Sequence, residues 1–250
     1  MISRKALIIS NPGEENSEDY CAGVLVDVEN YKKFLLSPLG GFWDKSEIIS
    51  LNRPRKALVD EYLKHLQNYE YTFIVYTGHG YSESSGKTIL NLRFGERYDS
   101  LDLRPGAKRR TVILDCCRRV HTRYLVEDQL IAKVERREIT LNADECRRYF
   151  DDEIMKCGNG IIIGNSCSKN EYSNDHPTNG GYYSSSLLRV ASDWYNNKTS
   201  VNLSKKYYPF SIIAAHNSAI ESVKKLSGGN QNPEIEKPRS EPYFPFAIMA

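Results

Sequence analysis

Two short stretches of this 250-residue chain carry residue types that could do covalent chemistry together. One is Tyr76-Thr77-Gly78-His79-Gly80 and the other is Leu114-Asp115-Cys116-Cys117. Each closes an apolar, β-branched run of strand length. An imidazole and a thiol at neighbouring strand ends are the minimum equipment for nucleophilic catalysis: the thiolate attacks a carbonyl, and the base takes its proton and returns it to the leaving group. Gly78 and Gly80 let the backbone turn sharply and let a peptide amide approach a substrate closely. The backbone N–H groups of Gly80 and Cys117 are the candidate oxyanion donors, each worth on the order of 3 kcal/mol to a transition state. No Cys-x-x-Cys or His-x-x-x-His spacing occurs, so metal ligation by these residues is not expected.

The elements that must position these groups alternate between strand and helix, the signature of a parallel sheet with helices on its faces. Strands are predicted over 5–10, 47–51, 71–77, 110–115, 160–165 and 244–249, the last at an edge because it holds a proline. Apolar periodicity predicts a helix capped by Ser17 and running to Leu35, and a second opening near Pro54. A third follows Asn142, and two more cover Tyr183–Trp194 and Ile212–Val223. Residues 81–106 read as a small hairpin, and 118–142, 166–181 and 227–243 as loops. In such a sheet ligands bind at the carboxyl ends of the strands, where His79 and Cys117 fall.

Composition narrows the partners. Hydrophobic residues make up 40% of the chain, enough for a large core, and 34 basic against 32 acidic residues leave a net charge of +2. No single-sign field argues for nucleic acid or an anionic membrane. The longest apolar runs, such as Ile161-Ile162-Ile163, are strand-sized, and the amino-terminal one is too short for a signal peptide. Six irregularly spaced cysteines, two of them adjacent, fit a reducing cytoplasm better than a disulfide scaffold.

The two strand-end sequences resemble those of the caspase-like cysteine peptidases (clan CD, family C14), and within them the metacaspase and bacterial orthocaspase branch. The likeness continues through Gly160-Ile161-Ile162-Ile163-Gly164-Asn165-Ser166-Cys167, Gly180-Gly181 and Phe244-Pro245-Phe246-Ala247. It implies a caspase-hemoglobinase-like α/β fold, a three-layer sandwich around a mostly parallel six-stranded sheet, as one domain over 1–250. That domain would divide into a large-subunit-like part (1–125), a charged linker (126–142) and a small-subunit-like part (143–250). By this resemblance His79 is the base, and Cys117, two residues beyond an Asp, is the nucleophile. The chain departs from the family after the cysteine. Caspases proper carry Gln-Ala-Cys-x-Gly and metacaspases His-Ser-Gly, whereas Arg118-Arg119-Val120 stand here.

The resemblance also implies a substrate pocket of Asp27, Thr77 and Asp115. Two carboxylates can pair with a guanidinium and would repel an aspartate, so cleavage after Arg or Lys of a protein or peptide is expected. The simpler readings are an exposed helix residue for Asp27 and a helix cap or a surface turn residue for Asp115. Lys133, Arg136, Arg137 and Arg147 are candidate self-cleavage sites, or else a solvated basic face. His65, His121, His176 and His216 read as non-catalytic, with His121 the rival base, and Cys167 as either a cleft or a packing residue. No cofactor is assigned, although some metacaspases need calcium, and the family's habit implies a monomer. The alternative is an inactive caspase-fold binding or scaffold module.

Overall fold

Strands β1 (Arg4–Asn11), β2 (Ile48–Asn52) and β3 (Tyr71–Gly78) open the computed structural model, which describes residues 1–118, 142–197 and 205–249. A small antiparallel sheet follows, made of β4 (Gly80–Ser82), β5 (Thr88–Arg93) and β6 (Glu96–Asp99), where the hairpin was predicted. The chain returns to the central sheet with β7 (Arg109–Asp115) and β8 (Gly160–Asn165). Then come two short pairs, β9 (Asp175–His176) with β10 (Gly180–Gly181) and β11 (Tyr208–Ser211) with β13 (Pro245–Met249), and the edge strand β12 (Glu234–Glu236). The central order is β12-β8-β7-β3-β1-β2, parallel except for β12.

Both faces of this sheet are covered, because successive side chains of each strand point to opposite sides. Ala6, Ile8, Phe73, Val75 and Ile113 face the layer of α1 (Gly23–Leu36), α3 (Ala143–Lys156), α4 (Tyr182–Asn196) and α5 (Ile212–Leu226). Leu7, Ile9, Ile74, Tyr76, Val112 and Leu114 face α2 (Lys56–Leu66, earlier in the chain than α3) and the small sheet. The result is three layers around a six-stranded, mostly parallel sheet.

Three local expectations are corrected. Residues 244–249 were expected at the sheet's edge. They lie instead under the helical layer, with Phe246 stacked on Phe34 at 4.8 Å between ring centroids and Phe244 at 5.5 Å from Tyr71. Their aromatic content makes them core material, whichever sheet they join. The edge place goes to β12, inside the stretch read as a loop, because four residues between Pro233 and Pro238 are too few to signal a strand. The first helix starts at Gly23 rather than after Ser17, whose carbonyl accepts from the Tyr20 N–H (3.1 Å) in a turn, and α2 starts two residues beyond Pro54. Asn142 does cap α3, accepting from the Asp144 N–H at 3.0 Å.

At the amino-terminal end of the sheet β1 opens on a buried cation. The Arg4 guanidinium donates to Asp151 Oδ1 (3.0 Å), Gly41 O (2.7 Å) and Phe42 O (2.9 Å), and lies 4.4 Å above the Trp43 ring. This ties β1 to α3 and to the loop that follows α1. Arg4→Ala strands a buried carboxylate and is expected to cost about 3–5 kcal/mol, read as a lower urea midpoint at unchanged slope. Replacing both partners with apolar residues, Arg4→Met with Asp151→Leu, should cost less than the single change.

Candidate active site

Backbone register builds the site. Thr77 pairs with Asp115 between β3 and β7, and Asn11 pairs with Gly78 between β1 and β3. His79 and Cys117 therefore leave the same edge of the sheet, each two residues beyond a paired position. Gly78 makes the turn at φ +141°, and a Cβ there would run into the Asn11 carbonyl. The His79 backbone is then fixed on both sides: its N–H donates to Asn11 O (3.3 Å), and its C=O accepts from the Tyr76 hydroxyl (2.6 Å) and the Asn91 N–H (3.0 Å). In the antiparallel β4–β5 ladder that Asn91 bond leaves Gly80 at a non-hydrogen-bonded position, so its N–H turns away from β5.

The imidazole Nε2 stands 3.3 Å from Pro12 O, and Gly13 keeps the space beside it open, since a Cβ there would come within 3.0 Å of Nε2. Cys116 is a packed residue, 2% exposed, with Sγ in the space left by Gly80. Cys117 is half-buried and its thiol donates to Ser173 O at 3.3 Å. Burial pushes the Cys117 thiol pKa up, and the carboxylates of Asp115 and Asp175 add to this. The Asp175 charge also acts on His79, so the imidazole and the sulfur lie in the field of one carboxylate. Asp175 itself accepts from the Gly23 N–H (3.2 Å), and its neighbour Cys21 is pushed up to about 12, chiefly by burial.

Asp27 and Asp115 are buried, at 1% and 4% exposure. Neutral donors hold both. Asp27 accepts from the Thr77 hydroxyl (2.7 Å) and the Gly181 N–H (2.9 Å), and Asp115 from the Ser173 hydroxyl (2.6 Å) and the Ser184 N–H (2.9 Å). A Cβ on Gly180 or Gly181 would collide with these carboxylates, which explains the glycine pair. Burial, and then the charge of Asp115, hold the Asp27 carboxyl well above the usual carboxylate range. Asp27, Thr77 and Asp115 are thus one cluster, and neither carboxylate is the surface residue of the simpler reading.

Several contributors carry no sequence signal. Pro12 enters through its carbonyl, which any residue would supply. Asp175, Ser173 and Gln231 sit in stretches legible only as polar loops. Gln231 is fully buried and donates through Nε2 to Ser166 O (3.0 Å) and Ser173 Oγ (3.3 Å), while its Oε1 accepts from the Asn174 N–H (3.0 Å). Of the other expectations, Lys133, Arg136, Arg137 and His121 lie outside the described residues. Arg147 sits within α3, its guanidinium paired with Glu47 and with Asp44 (3.3 Å). His65 is exposed on α2. His176 Nδ1 accepts from the Thr178 N–H (3.2 Å), and His216 is buried against the Tyr183 hydroxyl (2.8 Å), its pKa lowered by burial to about 4. Cys167 is buried with Sγ 3.5 Å from Cys116 O, in keeping with packing.

A family model of the caspase domain, Peptidase C14, matches residues 3–244. The chain belongs to the caspase domain family. This is a family of cysteine peptidases, whose substrates are proteins or peptides. The crystal structure of caspase-1 from Spodoptera frugiperda is similar in fold, with a TM-score of 0.58 at 12% sequence identity, over 94% of this chain and 86% of that one. Among curated proteins none matches. Among the described residues of this caspase domain, no group of three or more His, Cys, Asp or Glu side chains is arranged to hold a metal ion.

The buried acid pair has a consequence for stability. The folded caspase domain holds the Asp27 proton more tightly than the unfolded chain does, so its contribution to stability falls as pH rises above the ordinary carboxylate range. Asp27→Asn should therefore gain thermal stability over wild type at pH 8 relative to pH 4. Each ~1 kcal/mol corresponds to about 2–4 °C in a chain of this size. Melting curves at the two pH values check this, and an unchanged difference between the proteins would contradict it.

Proposed function

We propose that this caspase domain is a metacaspase-type cysteine endopeptidase that cleaves after Arg or Lys, with Cys117 as nucleophile and His79 as base. The observation that carries the proposal is the Thr77–Asp115 pairing, which brings the two strand ends out side by side. With Nε2–H given to Pro12 O, the other imidazole nitrogen holds the lone pair that takes the thiol proton. The thiolate adds to the substrate carbonyl, whose developing oxyanion is met by the N–H groups of Gly80 and Cys117. Protonated His79 then gives its proton to the leaving amine, and water hydrolyses the thioester.

Specificity follows from charge. Asp27 and Asp115 sit against Gly180-Gly181 with, among the described residues, neutral donors on them, and each carboxylate oxygen has a second acceptor direction for a guanidinium or ammonium group. Peptides with Arg or Lys before the scissile bond should be cleaved and those with Asp should not. Asp115→Asn should lower kcat/KM for the Arg peptide by about 10²-fold, as removing one member of a desolvated charge pair does. Paired fluorogenic substrates measure both, and preference for Asp would overturn the pocket assignment. Calcium and a chelator added to the same assay decide the calcium requirement.

Self-processing is proposed within the charged linker, at Lys133, Arg136 or Arg137. The bond between Arg147 and Arg148 lies inside α3 and would need that helix to unwind. Wild type on incubation should fragment while Cys117→Ala stays intact, and two intact bands on a gel would argue against processing. The thiol's hydrogen bond to Ser173 O gives the inactive binding-module reading a foothold. An Arg-directed covalent thiol probe that leaves Cys117 unlabelled in folded protein would favour that module. A monomer in the cytoplasm completes the proposal. The short edge strand β12, with a proline on either side, is poorly suited to strand addition.

A further inference from the structure

The residue after Cys117 is a buried cation that the reaction as described does not use. Arg118 is 7% exposed. Its N–H donates to Glu171 O (2.9 Å) and its C=O accepts from the Asn170 N–H (3.0 Å), so the backbone on either side of the Arg118 Cα is pinned. The guanidinium reaches three further segments: Nε donates to Thr88 Oγ1 on β5 (3.2 Å), and Nη1 to Cys167 O (2.9 Å) and to Glu234 Oε2 on β12 (2.8 Å). Glu171 is itself held, its carboxylate accepting from the N–H groups of Ser168 (3.1 Å) and Asn232 (2.7 Å). The segment so anchored runs on to Ser173, whose carbonyl accepts a hydrogen bond from the Cys117 thiol (3.3 Å) and whose hydroxyl donates to Asp115 (2.6 Å). The Arg118 backbone therefore ties the end of β7 to the wall that faces the Cys117 sulfur, and its guanidinium holds that joint to β5, Cys167 and β12. No glycine occurs over 118–120 of the sequence.

We propose that Arg118 is a positioning residue for the nucleophile, its backbone joining Cys117 to the 170–173 wall and its guanidinium fixing that joint in place. The proposal rests on Cys117 being the nucleophile. A buried guanidinium needs its partners to offset desolvation, and an apolar residue of like volume would fill the same space at no such cost. What the guanidinium supplies is a fixed geometry across four segments. A displacement of about 1 Å in a reacting group can cost up to 10²-fold in rate, so a loosened turn should show in kcat rather than in KM.

The test compares Arg118→Ala, Arg118→Lys and Glu234→Gln with wild type, using an Arg fluorogenic peptide and, separately, iodoacetamide with site-resolved mass spectrometry. Arg118→Ala should lower kcat by about 10-fold or more with KM little changed, and Arg118→Lys should recover part of the loss. Because burial is the main restraint on the Cys117 thiol, loosening the turn should speed its alkylation about fivefold while Cys146 and Cys157, buried elsewhere, stay protected. A merely destabilised fold would expose those two cysteines as well. Should Arg118→Ala fail to fold, Glu234→Gln, which changes a half-exposed residue, decides by the same pair of readouts with smaller expected shifts. Unchanged kcat and unchanged Cys117 alkylation in a folded variant would overturn the clamp, as would equal exposure of all three cysteines. If wild type cleaves no peptide, the peptidase proposal fails, and the alkylation rates still decide whether Arg118 positions Cys117.

Discussion

The pairing of Thr77 with Asp115 in the ladder between β3 and β7 sets the level at which every chemical group leaves the sheet. A slip of one residue would move His79 relative to Cys117 by about 3.3 Å and turn every side chain of the slipped strand to the opposite face. Asp115 would then point away from Asp27 and Gly181. The register is held because both faces of these strands are buried. Phe73, Val75 and Ile113 must meet the helical layer, while Ile74, Tyr76, Val112 and Leu114 must meet α2 and the small sheet. A Tyr71–Thr111 hydroxyl pair at 2.9 Å adds a polar pin near the start of the two strands. The hydrophobic core thus acts on the chemistry through alignment rather than contact.

The two ends of the sheet treat buried charge differently. At the amino-terminal end Arg4 meets Asp151 directly, and Arg147 meets Glu47, so opposite charges close on each other. At the carboxyl end, among the described residues, Asp27 and Asp115 are met by hydroxyls and amides. Such donors orient a carboxylate without neutralising it, which is why burial and mutual repulsion leave Asp27 holding its proton above the usual range. A cation arriving between them would relieve that repulsion. A site left with like charges close together is costly to keep without a ligand that uses it, and here the cost falls beside the thiol rather than in the distant core.

What was legible in the sequence was local or carried by strand ends. The glycines around His79, the Asn142 cap, the small hairpin and the five parallel strands each depend on residues near one another in the chain. The contributors that escaped notice act across it. Pro12 offers only a carbonyl, Gln231 reaches 65 residues back to Ser166, and Asp175 reaches 152 residues to Gly23. Their residue types are ordinary in loops, and only the folded neighbourhood makes them part of the site. The exchange of β12 and β13 has a similar cause. Apolar alternation marks Pro245–Met249 as extended, but it does not say whether the aromatic residues dock on the sheet's edge or beneath its helices.

A nucleophile must sit on a turn that cannot relax when its substrate arrives, and there are two ways to build one. Glycine permits a tight backbone path that needs few outside restraints, whereas ordinary residues need bonds from neighbours to hold an equally defined path. With Cys117 as the proposed nucleophile, Arg118 uses the second way, drawing its restraints from β5, from the 166–171 segment and from the sheet edge at Glu234. That choice couples the sulfur's position to β12, the one antiparallel strand of the central sheet. A partner adding a strand beyond β12 would compete for the same edge and could draw Glu234 away from the guanidinium. The three-residue β12, with Pro233 and Pro238 close on either side, offers such a partner little ladder to extend.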